Sequence, residues 1–435
     1  MINDARNLII NNSEKIFGEI TVPGDKSITH RAIILGSLSK GVTKIKGYLI
    51  SEDCKHTIGV MKALGVDIKE SKETLLIKGK GINSLDKPTA PLYAGNSGTL
   101  MRLISGILAM QPFDSIIAGD ESLNKRPMKR IIEPLESMGA IIKSNNNLPP
   151  LYFSSNESKQ PINFSSKIPS AQVKSCLLLA SLFTKGKSII NENISTRDHT
   201  EKLLEYFEYP IEIDNKKIII EGEKEFKAKE ISVPSDISSA AFFIVAALIK
   251  KDSDILIKNV GLNSLRTGIL EVLIEMGGDI KVTNRNIIGT EPIGDIQVKY
   301  SKLKPIKVSG PNVVKIIDEL PILFIACAAC SGVSEFFDIA ELRYKESDRI
   351  KAMEAGLSKL GIETKSTADS LTIVGGKFRG GIIDSYNDHR IAMSFAIAGL
   401  ISEKPITIMN TININTSYPS FYSTLKESGA QIFQS

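Results

Sequence analysis

Permanent cations recur at the starts of apolar, helix-like segments along this chain. "GDKSITHR" sets Lys26, Ser27 and Arg31 immediately before the run AIILGSL. Arg102 follows "GNSGTLM", Lys174 follows "PSAQV", and Arg390 closes "YNDHR", each at the mouth of a segment of the same kind. Arg126 in "KRPMKR", Arg197 in "TRDHTE", and Lys345 with Arg349 in "RYKESDR" open a second, more polar set of helices. A helix N-terminus leaves N–H groups unpaired and carries about half a positive charge, which favours an anion by roughly 0.3–1 kcal/mol. Arginine adds a planar fork that fits carboxylate and phosphate. Any one of these cations could be a solvated surface group, and "GNSGT" alone reads as a turn followed by an N-cap. It is the recurrence that predicts a surface for two or more anionic groups. The chain has neither the spacing of a P-loop nor GxGxxG between a strand and a helix.

The elements that must position these groups repeat. "VMKALGVDI" ends a helix, breaks at Gly65 and enters a strand, and the same event recurs at Gly139, Gly277, Gly361 and Gly429. A degenerate copy, "LLEYFEYPIEI", has Glu208 at the equivalent place and Pro210 as breaker. Each of the six units reads β-α-β-α-β-β. Its first helix is apolar on nearly all faces and belongs inside; its second carries a polar stripe and faces outward. Six units predict two globular halves of three. "ISVPSDISSA" (231–240) repeats the pattern of "ITVPGDKSIT" (20–29), so the chain is expected to cross between halves twice. The expected domains are 23–233, and 1–22 joined with 234–435.

A length of 435 residues fits more than one core. The net charge of +5 has no block of like charges, which argues against a nucleic-acid footprint and suits small anionic substrates. Four cysteines argue for a reducing compartment. Cys327 and Cys330 form a CxxC inside an apolar run with no second Cys or His pair nearby, so they read as packing and no metal site is expected. The N-terminal residues show no secretory or transit pattern, and the longest apolar runs fall short of the roughly 18 residues a membrane span needs. A cytoplasmic location is expected. Because each half supplies its own core, so is a monomer.

In order along the chain, "PGDKSITHRA", "AGNSGTLMRL", "KRPMKRIIEPL", "PSAQVKS", "TRDHTE", "DELPILFIA", "ELRYKESDRI" and "NDHRIAMS" resemble the signatures of the 5-enolpyruvylshikimate-3-phosphate synthase family. The resemblance implies an α/β fold of two domains, each of three β-α-β-α-β-β repeats with buried helices and outer sheets, closing on ligands in a cleft. It also implies transfer of the enolpyruvyl group of phosphoenolpyruvate to the 5-hydroxyl of shikimate 3-phosphate, with release of phosphate and no metal or organic cofactor. The implied partners are these two small molecules, with neither nucleic acid nor membrane.

By the same resemblance, Lys26, Ser27, Arg31, Ser170, Ala171, Gln172, Arg197, Asp318 and Lys345 hold shikimate 3-phosphate. Lys26, Asn96, Gly98, Arg126, Gln172, Arg349 and Arg390 hold phosphoenolpyruvate. Asp318 is implied as general base and Glu346 as the acid toward the methylene carbon, with Lys26 reaching both substrates. Some relatives carry Lys where Thr416 and Ser417 stand, Asn at Glu341, Pro at Leu103 and Ser at Ala171. The sister transferase acting on UDP-N-acetylglucosamine fits less well, since it places a reactive Cys in the loop that here reads "GDESLNKRP". A non-catalytic anion-binding module would have no use for carboxylates beside the cations.

Overall fold

The computed structural model describes residues 7–155 and 158–435. They form two compact units, one of Lys26–Val233 and one of the residues up to Asp25 together with Pro234–Ser435.

The Lys26–Val233 unit holds three four-stranded sheets over one apolar core. In the second sheet Leu92–Tyr93 runs parallel to Ser115–Ala118, which pairs antiparallel with Leu148–Ser154, and Ile141–Asn145 forms the far edge. The third repeats this order with Asn163–Ser165, Lys187–Asn191, Lys217–Glu221 and Ile211–Asp214. The core helices are Lys26–Leu38, Gly98–Leu108 and Ala171–Ser181, and every residue of the first from Ile28 onward is buried.

The other unit repeats the plan around its own core, with core helices Ile237–Ile249, Leu320–Ala329 and His389–Gly399. Beyond their first turns these helices are almost wholly apolar, which matches their burial on nearly every face. Within Leu320–Ala329, Cys327 is buried, the Cys330 thiol just past the helix donates to its carbonyl at 3.0 Å, and burial pushes both thiols above the ordinary range. The pair is packing, as its surroundings in the sequence suggest. No helix among the described residues is long and apolar enough to cross a membrane.

The repeat departs from six self-contained copies at three sheets. The strand that precedes the first core helix, Phe17–Ile20, pairs in parallel with Asp254–Gly261 in the other unit's first sheet. The place it leaves beside Lys40–Lys46 is taken by Glu230–Ser232, with Glu230 opposite Lys44 and Ser232 opposite Lys46. In the last sheet, Leu8–Ile10 lies between Ile406–Met409 and Ile432–Gln434 and supplies the hairpin strand that the final copy lacks. Each strand of the two crossings thus completes a sheet of the unit it is leaving.

All six breaks adopt one cap. The residue in the left-handed region returns its N–H three residues back and its successor bonds five back, as in Gly277 to Ile274 with Gly278 to Leu273. The degenerate copy does the same, with Glu208 to Glu205 and Tyr209 to Leu204. Glu208 holds φ 58°, a conformation that a side chain disfavours. Gly277 sits at φ +93°, and a Cβ there would meet nothing closer than the Lys302 carbonyl oxygen at 3.9 Å. Gly277→Ala is therefore expected to cost about 1 kcal/mol of backbone strain alone, whereas Glu208→Gly raises stability. Shifts of opposite sign in the urea midpoint check this.

Candidate active site

In the Lys26–Val233 unit, the first core helix presents Lys26 and Ser27 in its first turn. Lys26 Nζ donates at 2.9 Å to Oδ2 of Asp53, a carboxylate in the first turn of Glu52–Ala63. Ser97 caps the second core helix through Leu100 N–H, and Asn96 stands beside it. The Asn96 amide donates to Asp120 at 2.6 Å, and its oxygen accepts from Arg126 Nη2 at 2.6 Å. A Cβ at Gly98 would come within 3.0 Å of Arg102 and 3.2 Å of Arg126, so this glycine leaves room for two guanidinium groups. Ser170 caps the third core helix through Val173 N–H. Gln172 joins two helix mouths, accepting from Arg102 Nη1 at 2.7 Å and donating to Thr99 Oγ1 at 2.9 Å. Asn96, Gly98, Arg102, Arg126 and Gln172 therefore form one cationic cluster.

Two cations of this unit lie deeper than their place in the sequence suggests. Arg31 is 3% exposed, and its guanidinium donates to Thr200 Oγ1 and Ser175 Oγ at 2.7 Å each and to the Ser27 carbonyl at 3.0 Å. Lys174 is also 3% exposed, 2.6 Å from Glu201 and 2.9 Å from Glu192. Burial alone would lower its pKa, but Glu201 and Glu192 outweigh that and raise it. Lys174 also donates to the Thr196 carbonyl at 3.2 Å, and Glu192 accepts from Thr196 N–H. Lys174 thus braces the segment carrying Arg197, with its charge already balanced. Arg197 and Ala171 are half-buried.

In the other unit, Asp318 stands just before the core helix Leu320–Ala329. Its Oδ1 is 3.3 Å from Lys345 Nζ and 3.8 Å from Arg349 Nη1, and its backbone carbonyl accepts from Arg390 Nη1 at 2.7 Å. Asp348 caps the helix Arg349–Lys359 by accepting from Lys351 N–H at 3.0 Å. Arg349, 1% exposed, binds Asp388 through Nε at 2.8 Å and Glu346 through Nη2 at 2.5 Å. Burial would lower its pKa, yet Asp388 and Glu346 raise it. Its Nη1 has no hydrogen-bond partner among the described residues, so one buried donor remains for an anion. Asp388 also accepts from Arg390 N–H, capping the last core helix.

This second cluster can do acid–base chemistry as well as bind. Two half-buried carboxylates, Asp318 and Glu346, face a common arginine and share a neighbourhood with Lys345 and Arg390. One carboxylate can take a proton while the other gives one. Asp25, Asp236, Ser238, Arg266 and Glu319 were not singled out by sequence. They form a buried polar cluster behind Arg390. The available signal was the twin crossing pattern, because Asp25 and Asp236 follow Pro–Gly and Pro–Ser at the same place in each copy.

Among known families, one described as EPSP synthase (3-phosphoshikimate 1-carboxyvinyltransferase) matches residues 10–425. A 3-phosphoshikimate 1-carboxyvinyltransferase of Legionella pneumophila is 47% identical over 408 residues, covering 94% of each chain. One of Methylococcus capsulatus is 46% identical over 417 residues, covering 95% of each. A solved EPSP synthase structure from Acinetobacter baumannii superposes with a TM-score of 0.88 at 43% identity, over 99% of this chain and all of that one.

Proposed function

Because the chain belongs to the EPSP synthase family, we propose that its two polar clusters serve one reaction. The enzyme transfers the enolpyruvyl group of phosphoenolpyruvate to shikimate 3-phosphate and releases phosphate, a step toward the aromatic amino acids. The division of labour follows the domains 23–233, and 1–22 with 234–435.

Both substrates are polyanions, so their mutual repulsion has to be offset before they can react. Lys26, Ser27, Ser170, Ala171, Gln172 and Arg197 hold shikimate 3-phosphate, with Lys345 and Asp318 on its ring. Arg31, buried among Thr200 and Ser175, serves the same substrate from beneath the helix mouth. Asn96, Gly98, Arg126 and Gln172, with Lys26, Arg349 and Arg390, hold phosphoenolpyruvate. The 5-hydroxyl oxygen attacks the enol carbon while Asp318 takes its proton and Glu346 protonates the methylene. The carbon–oxygen bond to phosphate then breaks, the leaving phosphate takes the proton held by Asp318, and a methyl proton passes back to Glu346, which restores the double bond in the product. Each carboxylate acts in opposite senses in the two halves of the reaction.

The observation that carries this reading is Asp318 held between Lys345 and Arg349, with its own backbone fixed by Arg390. A phosphate-release assay tests it. Turnover is expected with phosphoenolpyruvate plus shikimate 3-phosphate and none with phosphoenolpyruvate plus UDP-N-acetylglucosamine. Release with the second pair alone, or with neither, overturns it. The enzyme works as a cytoplasmic monomer: four free, buried cysteines suit a reducing compartment, and each unit has its own core.

A further inference from the structure

Behind Arg390 lies a buried polar cluster to which the transfer reaction as described assigns no part. Arg266 is 2% exposed, and its guanidinium spans both chain crossings. Nη1 is 3.1 Å from Asp25 Oδ2, and Nη2 is 3.2 Å from Asp236 Oδ1 and 2.8 Å from Ser238 Oγ. The two crossings are also tied by their backbones, Asp25 N–H to the Pro234 carbonyl and Asp236 N–H to the Pro23 carbonyl, each at 2.8 Å. Ser238 donates onward to Glu319, which is fully buried. The same Glu319 oxygen is 3.8 Å from Arg390 Nη1, and that nitrogen donates to the Asp318 carbonyl at 2.7 Å.

We infer that Arg266 is a positioning residue for the enolpyruvyl transfer: by holding Asp25, Asp236 and the Ser238–Glu319 pair, it fixes where Arg390 and the Asp318 backbone sit. This rests on the proposed roles of Arg390 and Asp318. The reasoning is one of charge. Three buried carboxylates, those of Asp25, Asp236 and Glu319, face Arg266 and, at longer range, Arg390. Burial first, and Asp25 next, push the Asp236 carboxyl above its ordinary range, so the cluster is already short of positive charge. Burial would lower the Arg266 pKa, but Asp25, Asp236, Glu319 and, more distantly, Asp318 raise it. With Arg266 gone, Glu319 becomes the stronger attractor for Arg390. The guanidinium then swings inward, off the Asp318 carbonyl and away from a bound phosphoenolpyruvate.

The test is steady-state kinetics on the full chain. Arg266→Gln is expected to raise KM for phosphoenolpyruvate about tenfold and to lower kcat, while KM for shikimate 3-phosphate changes less than about twofold. Lowering the pH should recover part of the loss, because protonating Asp236, whose carboxyl is already held above its ordinary range by burial and by Asp25, removes one of the negative charges that Arg266 balanced. The parent enzyme shows no such gain. Adding Glu319→Gln to Arg266→Gln should bring KM for phosphoenolpyruvate back toward the parent value. If Arg266→Gln does not fold, Arg266→Lys keeps the charge but cannot fork between the crossings, and it should show the same selective rise in smaller measure, again relieved by Glu319→Gln. A variant that loses stability but keeps both KM values and the parent pH profile overturns the inference. A parent enzyme inactive on the two substrates overturns the functional reading instead.

Discussion

Asp318→Asn is expected to lower kcat by about 10²–10⁴-fold while both KM values stay within a few-fold of the parent. The substitution keeps size and shape. An amide oxygen can still accept from Lys345 at the present 3.3 Å, and the backbone bond to Arg390 does not involve the side chain. What is lost is the ability to take the proton of the attacking hydroxyl. Binding of each substrate by calorimetry and turnover by phosphate release separate these effects. Full turnover with normal binding would remove Asp318 as the base and leave that role to another group.

Arg349→Met carries the second large effect, on stability and activity together. Arg349 is 1% exposed and Asp388 fully buried, so the variant leaves the Asp388 carboxylate in the interior without its main cation. Breaking a buried pair in this way costs about 3–5 kcal/mol of unfolding free energy. Ser347 still donates to Asp388, at 3.1 Å, but a hydroxyl cannot balance a charge. Turnover is expected to fall at least as far as in Asp318→Asn, because Arg349 also spaces Glu346 from Asp318. Adding Asp388→Asn should return part of the stability and little of the activity. Urea denaturation and kinetics on the same samples read both. Equal recovery of the two would mean that Arg349 acts on the reaction only through the fold.

Much of the architecture can be read along the chain because it is written locally. A helix apolar on every face announces its own burial, and a glycine after the last turn announces its cap. Even the degenerate third copy kept the cap, with Glu208 in the glycine's conformation. The mouths of the core helices were legible for the same reason, since cap, cation and apolar run are adjacent in sequence. Depth was not legible. Arg31 and Lys174 stand at helix mouths like Lys26, yet they are turned to inner partners supplied from residues 192–201, which no local pattern reveals. The Arg266 cluster is harder still. The repeated crossing pattern hints at Asp25 and Asp236, but that they meet Ser238, Arg266 and Glu319 is decided only in three dimensions. The double crossing already assigned residues 1–22 to the far half, but not the partners of the exchanged edge strands, since Glu230–Ser232 and Phe17–Ile20 each look like the start of their own repeat.

The placement of Leu8–Ile10 dictates a timetable for biosynthesis. Everything that the Lys26–Val233 unit needs leaves the ribosome in one continuous stretch, closing when Glu230–Ser232 docks beside Lys40–Lys46. That half can finish early. The strands made ahead of it cannot: Phe17–Ile20 must wait for Asp254–Gly261, and Leu8–Ile10 for Ile406–Met409 and Ile432–Gln434. Asn7 and Ser435 finally exchange backbone bonds, each donating to the other at 3.1 Å. A nascent chain therefore carries a short sticky edge, Leu-Ile-Ile, unpaired until Ile406–Met409 and Ile432–Gln434 are made, and a ribosome that stalls before them leaves that edge open to chaperones or to aggregation.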